Sequence, residues 1–321
     1  MKFPILVSYA YARKDEKEFA AYAESPHIEV LLDCGAFTAK NSGQDIRLED
    51  YCGFLDRWGK RLFRYLALDK VGDPAVTESN LKEMLRAGYK PVPVHVLGDD
   101  ERRMDELFGI SDYVALAGLR RPHKGHCPKE YIKAKMKWAR GRDVHWLGYV
   151  KEDMFSTFRP YSCDSASWGA PKMWGKVHVY YGRGRWVHSV PFRERVKLLR
   201  NPEVMRVIEG LGFSPKELND ERHWRRNIKA GFGPETCLSE IVTADSWVRY
   251  VIDCYKRWGV KVFLATSLAD DLYSLKGAID RHADKLNLGH DPVRIVPQLA
   301  KRPGKGGVPA GSSPASVPCQ G

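Results

Sequence analysis

Ile28-Glu29-Val30-Leu31-Leu32-Asp33 is a short apolar run that closes on a carboxylate. Its length and its Ile, Val and Leu content predict a buried strand. The period then changes. Tyr51, Phe54, Leu55 and Trp58 fall at i, i+3, i+4 and i+7, one face of a helix. The same pair of patterns recurs on both sides. Phe3 to Tyr9 reads as a preceding strand, and Tyr65-Leu66-Ala67-Leu68-Asp69 as the next. Leu81, Met84 and Leu85 mark a helix that stops at Gly88. Pro91 to His95, Tyr113 to Gly118, Val144 to Gly148 and Tyr161 to Asp164 continue the strands. Helices around Met104, Leu107 and Phe108, and through Tyr131, Ile132 and Trp138, lie between them. Val260 to Ser267 supplies a last strand.

Strands alternating with helices imply a parallel sheet, and eight such strands suggest a closed barrel. The predicted class is therefore α/β, a (β/α)8 TIM-type barrel. The rhythm breaks from Trp174 to about Lys256. Val177 to Trp186 looks like a hairpin, and helical segments follow it. Residues 172–256 are expected to be an insertion before the last strand. Residues 1–300 then form one domain, and the Pro/Gly/Ser-rich residues 301–321 a disordered tail.

The 321 residues, 43% hydrophobic, are ample for one large core. No run of 18 apolar residues exists, so no membrane span is expected. Seven scattered cysteines suggest no disulfide framework and fit a reducing, cytoplasmic setting. The net charge of +12 is uneven. Residues 172–229 carry 14 Lys/Arg against 6 Asp/Glu, including Arg183, Arg185, Arg225, Arg226 and Lys229. Such an excess suits a polyanion, because phosphate neutralisation supplies most non-specific nucleic-acid affinity. A solvated basic face is the plainer alternative.

The strand endings carry the chemistry. The runs close on Asp33, Asp69, His95, Gly118, Gly148 and Asp164. In a barrel these ends converge on one face, where active sites are built. A carboxylate after four apolar residues is costly to bury unless something pairs or uses it. One such Asp could cap a helix; three on one face call for another account.

Asp33-Cys34-Gly35-Ala36-Phe37 resembles the Asp-Ser-Gly-(Gly/Ala)-Phe motif of queuine and archaeosine tRNA-guanine transglycosylases. The likeness is closer to their DNA-acting relatives, the phage and bacterial 7-deazaguanine DNA transglycosylases. Leu68-Asp69-Lys70-Val71-Gly72-Asp73-Pro74, Pro93-Val94-His95, Ala117-Gly118-Leu119 and Tyr161-Ser162-Cys163-Asp164 continue the resemblance in order. It covers about residues 5–170.

The resemblance implies that Asp164 is the nucleophile at C1′ of the target guanosine and Asp33 the acid/base group near the base. It implies that Asp69 reads the guanine edge, and that Gly118 and Leu119 offer backbone amides to the base carbonyl. His95 stands where the tRNA enzymes carry Gln. The chemistry is coherent: a carboxylate splits base exchange into two displacements through a glycosyl ester. A second group handles the proton. A third accepts the two adjacent N–H donors of guanine. Phe37 and Tyr9 are candidates to stack on the base, or else core aromatics. Asp69 could instead cap the turn before Asp73-Pro74, with Asp73 as the alternative reader, and Asp164 could cap a short helix. Small buried cysteine is the default for Cys34 and Cys163.

The tRNA enzymes hold structural zinc on a Cys-x-Cys-x-x-Cys cluster, which is absent here. His123, His126 and Cys127 gather ligand types without a clear fourth. No cofactor is therefore expected. The expected partners are DNA, with tRNA as the alternative, and a free 7-deazaguanine base. A catalytically silent nucleic-acid-binding subunit and an unrelated barrel hydrolase are the competing readings.

Overall fold

A computed structural model of the chain describes residues 1–119, 128–169, 176–182, 187–191, 194, 196, 200–214, 238–267 and 272–286. Eight parallel strands form one sheet: β1 (Phe3–Ser8), β2 (Ile28–Asp33), β3 (Arg64–Tyr65), β4 (Val94–His95), β5 (Tyr113–Leu116), β6 (Asp143–Trp146), β7 (Ser162–Ser165) and β10 (Lys261–Thr266). Their order is β3-β2-β1-β10-β7-β6-β5-β4, so β1 lies between β2 and the last strand. Ile5 pairs with Leu264 across that β1–β10 junction. The sheet curls until its outer strands meet. Leu66 and Val92 form a parallel bridge. Ala67 N donates to Val92 O at 2.9 Å, and Val92 N to Tyr65 O at 2.8 Å. The architecture is TIM-barrel-like.

Two apolar layers follow from the two-residue period of the strands. Leu6, Leu31, Leu66, Val94, Ala115 and Phe263 fill the interior. Their chain neighbours Ile5, Val30, Leu32, Val114, Leu116 and Leu264 face the helices. The helix α4 (Leu48–Trp58) buries Tyr51, Phe54 and Leu55 in that outer layer. Helices α5 (Pro74–Arg86) and α6 (Glu101–Ile110) bury Leu81 and Met84, and Met104 and Leu107. Tyr131 and Ile132 of α7 (Pro128–Ala139) are buried as well.

Three expectations shift. Strands β3 and β4, on either side of the seam, are only two residues long. The hairpin is wider than Val177 to Trp186: β8 (Lys176–Val179) pairs antiparallel with β9 (His188–Pro191). The region expected as an insertion also contains a helix of the barrel wall. Numbering helices in chain order, α1 (Tyr9–Ala12), α2 (Glu16–Ala23), α3 (Ala36–Ser42) and α8 (Glu152–Phe158) complete the early set, with α9 (Pro202–Gly210) and α10 (Leu238–Trp258) after the hairpin. One face of α10 buries Trp247, Val248 and Val251 in the main core. Its start, at Ile241 and Val242, packs with Val177, Val179, Val204 and Ile208. The hairpin and α9 therefore build a satellite core on a barrel helix. Residues 301–321 lie outside the described residues. No described helix is long and apolar enough to cross a membrane.

Candidate active site

The mouth is built by strand register. Ser8 pairs with Asp33 across β1 and β2, two residues beyond the interior pair Leu6 and Leu31. Asp164 pairs with the interior residue Phe263. Asp33 and Asp164 therefore both point into the barrel at its C-terminal end. Asp69 follows β3 by four residues and joins them: Cys34 Sγ donates to its Oδ1 at 2.7 Å. Burial pushes the Asp69 carboxyl above the usual carboxylate range.

Asp33 is pushed furthest, to about 7. Burial is the main cause, and the negative charges of Asp69 and Asp164 add to it. Gly35 N, donating to Asp33 Oδ2 at 2.9 Å, and the Ser8 hydroxyl act in the opposite sense. No ion pair among the described residues involves Asp33 or Asp69. A carboxyl near 7 divides its proton evenly at neutral pH, the poise a general acid/base needs. Gly35 fixes this turn. Its φ is 85°, and a Cβ there would sit 3.0 Å from Ala10 N.

Asp164 is 7% exposed. Its Oδ1 accepts from Gly148 N at 2.6 Å and meets His145 Nε2 at 3.1 Å. Behind it, His145 Nδ1 lies 2.6 Å from Ser162 Oγ, which in turn bonds the Tyr113 hydroxyl. His145 and Ser162 are 0% exposed. Sequence reading missed this chain. Its signal was the period of Val144-His145-Trp146, which turns His145 inward opposite Ala115 and Ser162.

The other candidates separate. Phe37, on α3 just past the Asp33 turn, is 62% exposed, so the core reading fails for it. Tyr9 is buried edge-on to Tyr51 and Phe54 and belongs to the core. Asp73 caps α5: its carboxylate accepts from Val76 N at 3.0 Å, and Pro74 follows. That bond gives Asp73 a structural role at the start of α5. His95 turns away from the mouth. It pairs with Leu116 on the outer face, and its ring lies tilted against Trp138, 6.3 Å between ring centres. Its Nε2 meets Asp100 O at 3.0 Å. Strand β4 puts Val94 inside, so the adjacent His95 must face the helices.

Gly118 has φ 76°, and Leu97 fills the place of a Cβ, 2.9 Å away. Leu119 is buried in the outer layer. Beside Asp69 opens a pocket of about 320 Å³, lined among others by Ala36, Lys40, Ile46, Lys70 and Asn80. That volume lies in the range of small-molecule sites.

Arg183, Arg185, Arg225, Arg226 and Lys229 lie outside the described residues, as do His123, His126 and Cys127. No cluster of three or more His, Cys, Asp or Glu suited to a metal occurs among the described residues. No protein-family model matches the chain, and neither does any curated protein or any solved structure.

Proposed function

We propose that the protein is a guanine transglycosylase that exchanges guanine in DNA for a 7-deazaguanine through a covalent aspartyl-glycosyl intermediate. The observation that carries the reading is the meeting of Asp33, Asp69 and Asp164 at one barrel mouth, with Asp33 held near 7. The proposal takes the curled sheet as a closed (β/α)8 barrel. It assigns the basic excess of residues 172–229 to phosphate contact.

The steps balance. Asp164 attacks C1′ of the flipped-out nucleotide, and the C1′–N9 bond breaks. The electron pair leaves on guanine, which takes the proton of Asp33. The incoming 7-deazaguanine gives its N9 proton to the Asp33 carboxylate. Its N9 then attacks C1′ and releases Asp164 as a carboxylate. Two inversions retain the sugar configuration. Asp69 accepts hydrogen bonds from the guanine edge, and exposed Phe37 stacks on its face.

The test is base exchange by the purified chain. Duplex DNA or tRNA carrying labelled guanine is incubated with 7-cyano-7-deazaguanine, and guanine release is followed. Release from DNA supports the reading. Release from tRNA alone moves the substrate to tRNA. Release from neither overturns base exchange, and intact binding would then favour a silent nucleic-acid-binding subunit.

A further inference from the structure

We propose that His145 is a positioning residue that fixes the Asp164 carboxylate so that Oδ2 is the attacking oxygen; this rests on the base-exchange reading above. Both nitrogens that meet the Asp164 carboxylate fall on one atom. Gly148 N and His145 Nε2 meet Oδ1, at 2.6 and 3.1 Å. Among the described residues, Oδ2 has no protein hydrogen-bond partner. Two donors on one oxygen stop rotation of the carboxylate and present the other oxygen to the mouth.

The buried chain behind His145 sets its tautomer. Burial first of all pushes the Tyr113 hydroxyl well above its usual range, so it stays protonated and can donate to Ser162 Oγ. With Tyr113 donating, the Ser162 hydroxyl proton is free to go to His145 Nδ1, 2.6 Å away. An imidazole that accepts at Nδ1 carries its proton on Nε2, aimed at Asp164 Oδ1. The reverse chain would set an Nε2 lone pair against a carboxylate oxygen, with no proton between them. A tautomer is commonly fixed in this way by the bond that the other nitrogen makes.

The arrangement serves both displacements. As C1′–Oδ2 forms and C1′–N9 breaks, Oδ1 becomes the carbonyl oxygen of the ester. As the incoming base attacks, C1′–Oδ2 breaks and its electron pair returns to the carboxylate. The two donors point at Oδ1 throughout, so charge leaves and returns in a prearranged field. No atom of His145 enters or leaves.

A pair of variants tests the inference. Gln carries its amide about as far along the side chain as imidazole Nε2, whereas Asn reaches only as far as Nδ1. His145→Asn should lower the exchange kcat roughly 10- to 100-fold with KM for the free base nearly unchanged. His145→Gln should recover most of that loss. Equal kcat in the two variants, or a wild-type kcat in His145→Asn, overturns the inference. Against variants that fail to fold, ¹⁵N-histidine NMR of the wild-type protein reads the tautomer directly: Nε2–H supports it and Nδ1–H overturns it. An inactive wild-type protein sinks base exchange, and this inference with it. An active one indifferent to His145→Asn sinks the inference alone.

Discussion

Glu29 and Asp33 stand on the same face of the same strand, one at the floor of the barrel and one at its mouth. Burial pushes both carboxyls up. At the floor a cation answers: Lys261, at the start of β10, lies 2.9 Å from Glu29 and offsets part of the shift. Burial alone would lower the Lys261 ammonium, but Glu29 outweighs it and holds it charged. The rings of Phe63 and Tyr161 lie near the ammonium, 4.8 and 5.4 Å from it. At the mouth Asp33 meets Asp69 and Asp164 instead, and rises to about 7. One strand thus carries a neutralised carboxylate that holds the fold and a frustrated one that can trade a proton. The difference lies in the neighbours, since residue type and burial are nearly matched.

The sharpest break of this contrast is at the mouth. On the base-exchange proposal, Asp164→Asn should abolish exchange, a loss on the order of 10⁴-fold or more, with nucleic-acid binding nearly intact. Substantial residual turnover would remove Asp164 from the nucleophile's role. At the floor the loss should be in stability. Lys261→Met leaves Glu29 buried without its cation and should cost about 3–5 kcal/mol in denaturant unfolding. Adding Glu29→Leu should restore most of it, and a double variant as unstable as the single would show that the pair is not the cause.

Asp33 also predicts a pH dependence of stability. Its folded pKa is raised from 3.8 to about 7, so the folded state holds the proton more tightly than the unfolded one. Stability should fall as pH rises from about 4 to about 7 and then level off. Asp33→Asn should flatten that slope, with a gain on the order of 3 kcal/mol at pH 8. Parallel pH curves for the two proteins would mean that Asp33 titrates normally. The smallest effect tests a carboxylate that belongs to neither group. Asp73→Ala should cost about 1 kcal/mol through loss of the α5 cap, with unchanged KM for the base. A raised KM would return Asp73 to the site.

The alternation of apolar runs and helical faces carried most of the fold. Each of the eight anticipated strands has a counterpart in the sheet. What the pattern could not carry was the direction of a side chain where a strand is short. Val94 and His95 are adjacent, and only pairing with Ala115 and Leu116 decides which faces the interior. Asp33 and Asp164 were visible because a carboxylate closes an apolar run. His145 was hidden by aromatic and apolar neighbours that resemble an ordinary strand, and its partner Ser162 lies on another strand. Phe37 reads in sequence like any core aromatic; its exposure follows from the tight turn at Gly35 that starts α3 on the rim. The hairpin's far strand lies beyond the expected end at Trp186: β9 begins at His188.

The pairing of β1 with β10 has a consequence in time. All six residues of β1 are buried, and one flank waits for a strand that leaves the ribosome far later. The N-terminal ammonium likewise finds its acceptor only at Leu286. At about 5–20 residues per second, Ile5 would wait on the order of 10–50 s for Leu264. Until then β1 has at most β2 to pair with, and its other edge has no partner. An unpaired apolar edge is an aggregation hazard, and β10 covers the open edges of both β1 and β7 when it arrives.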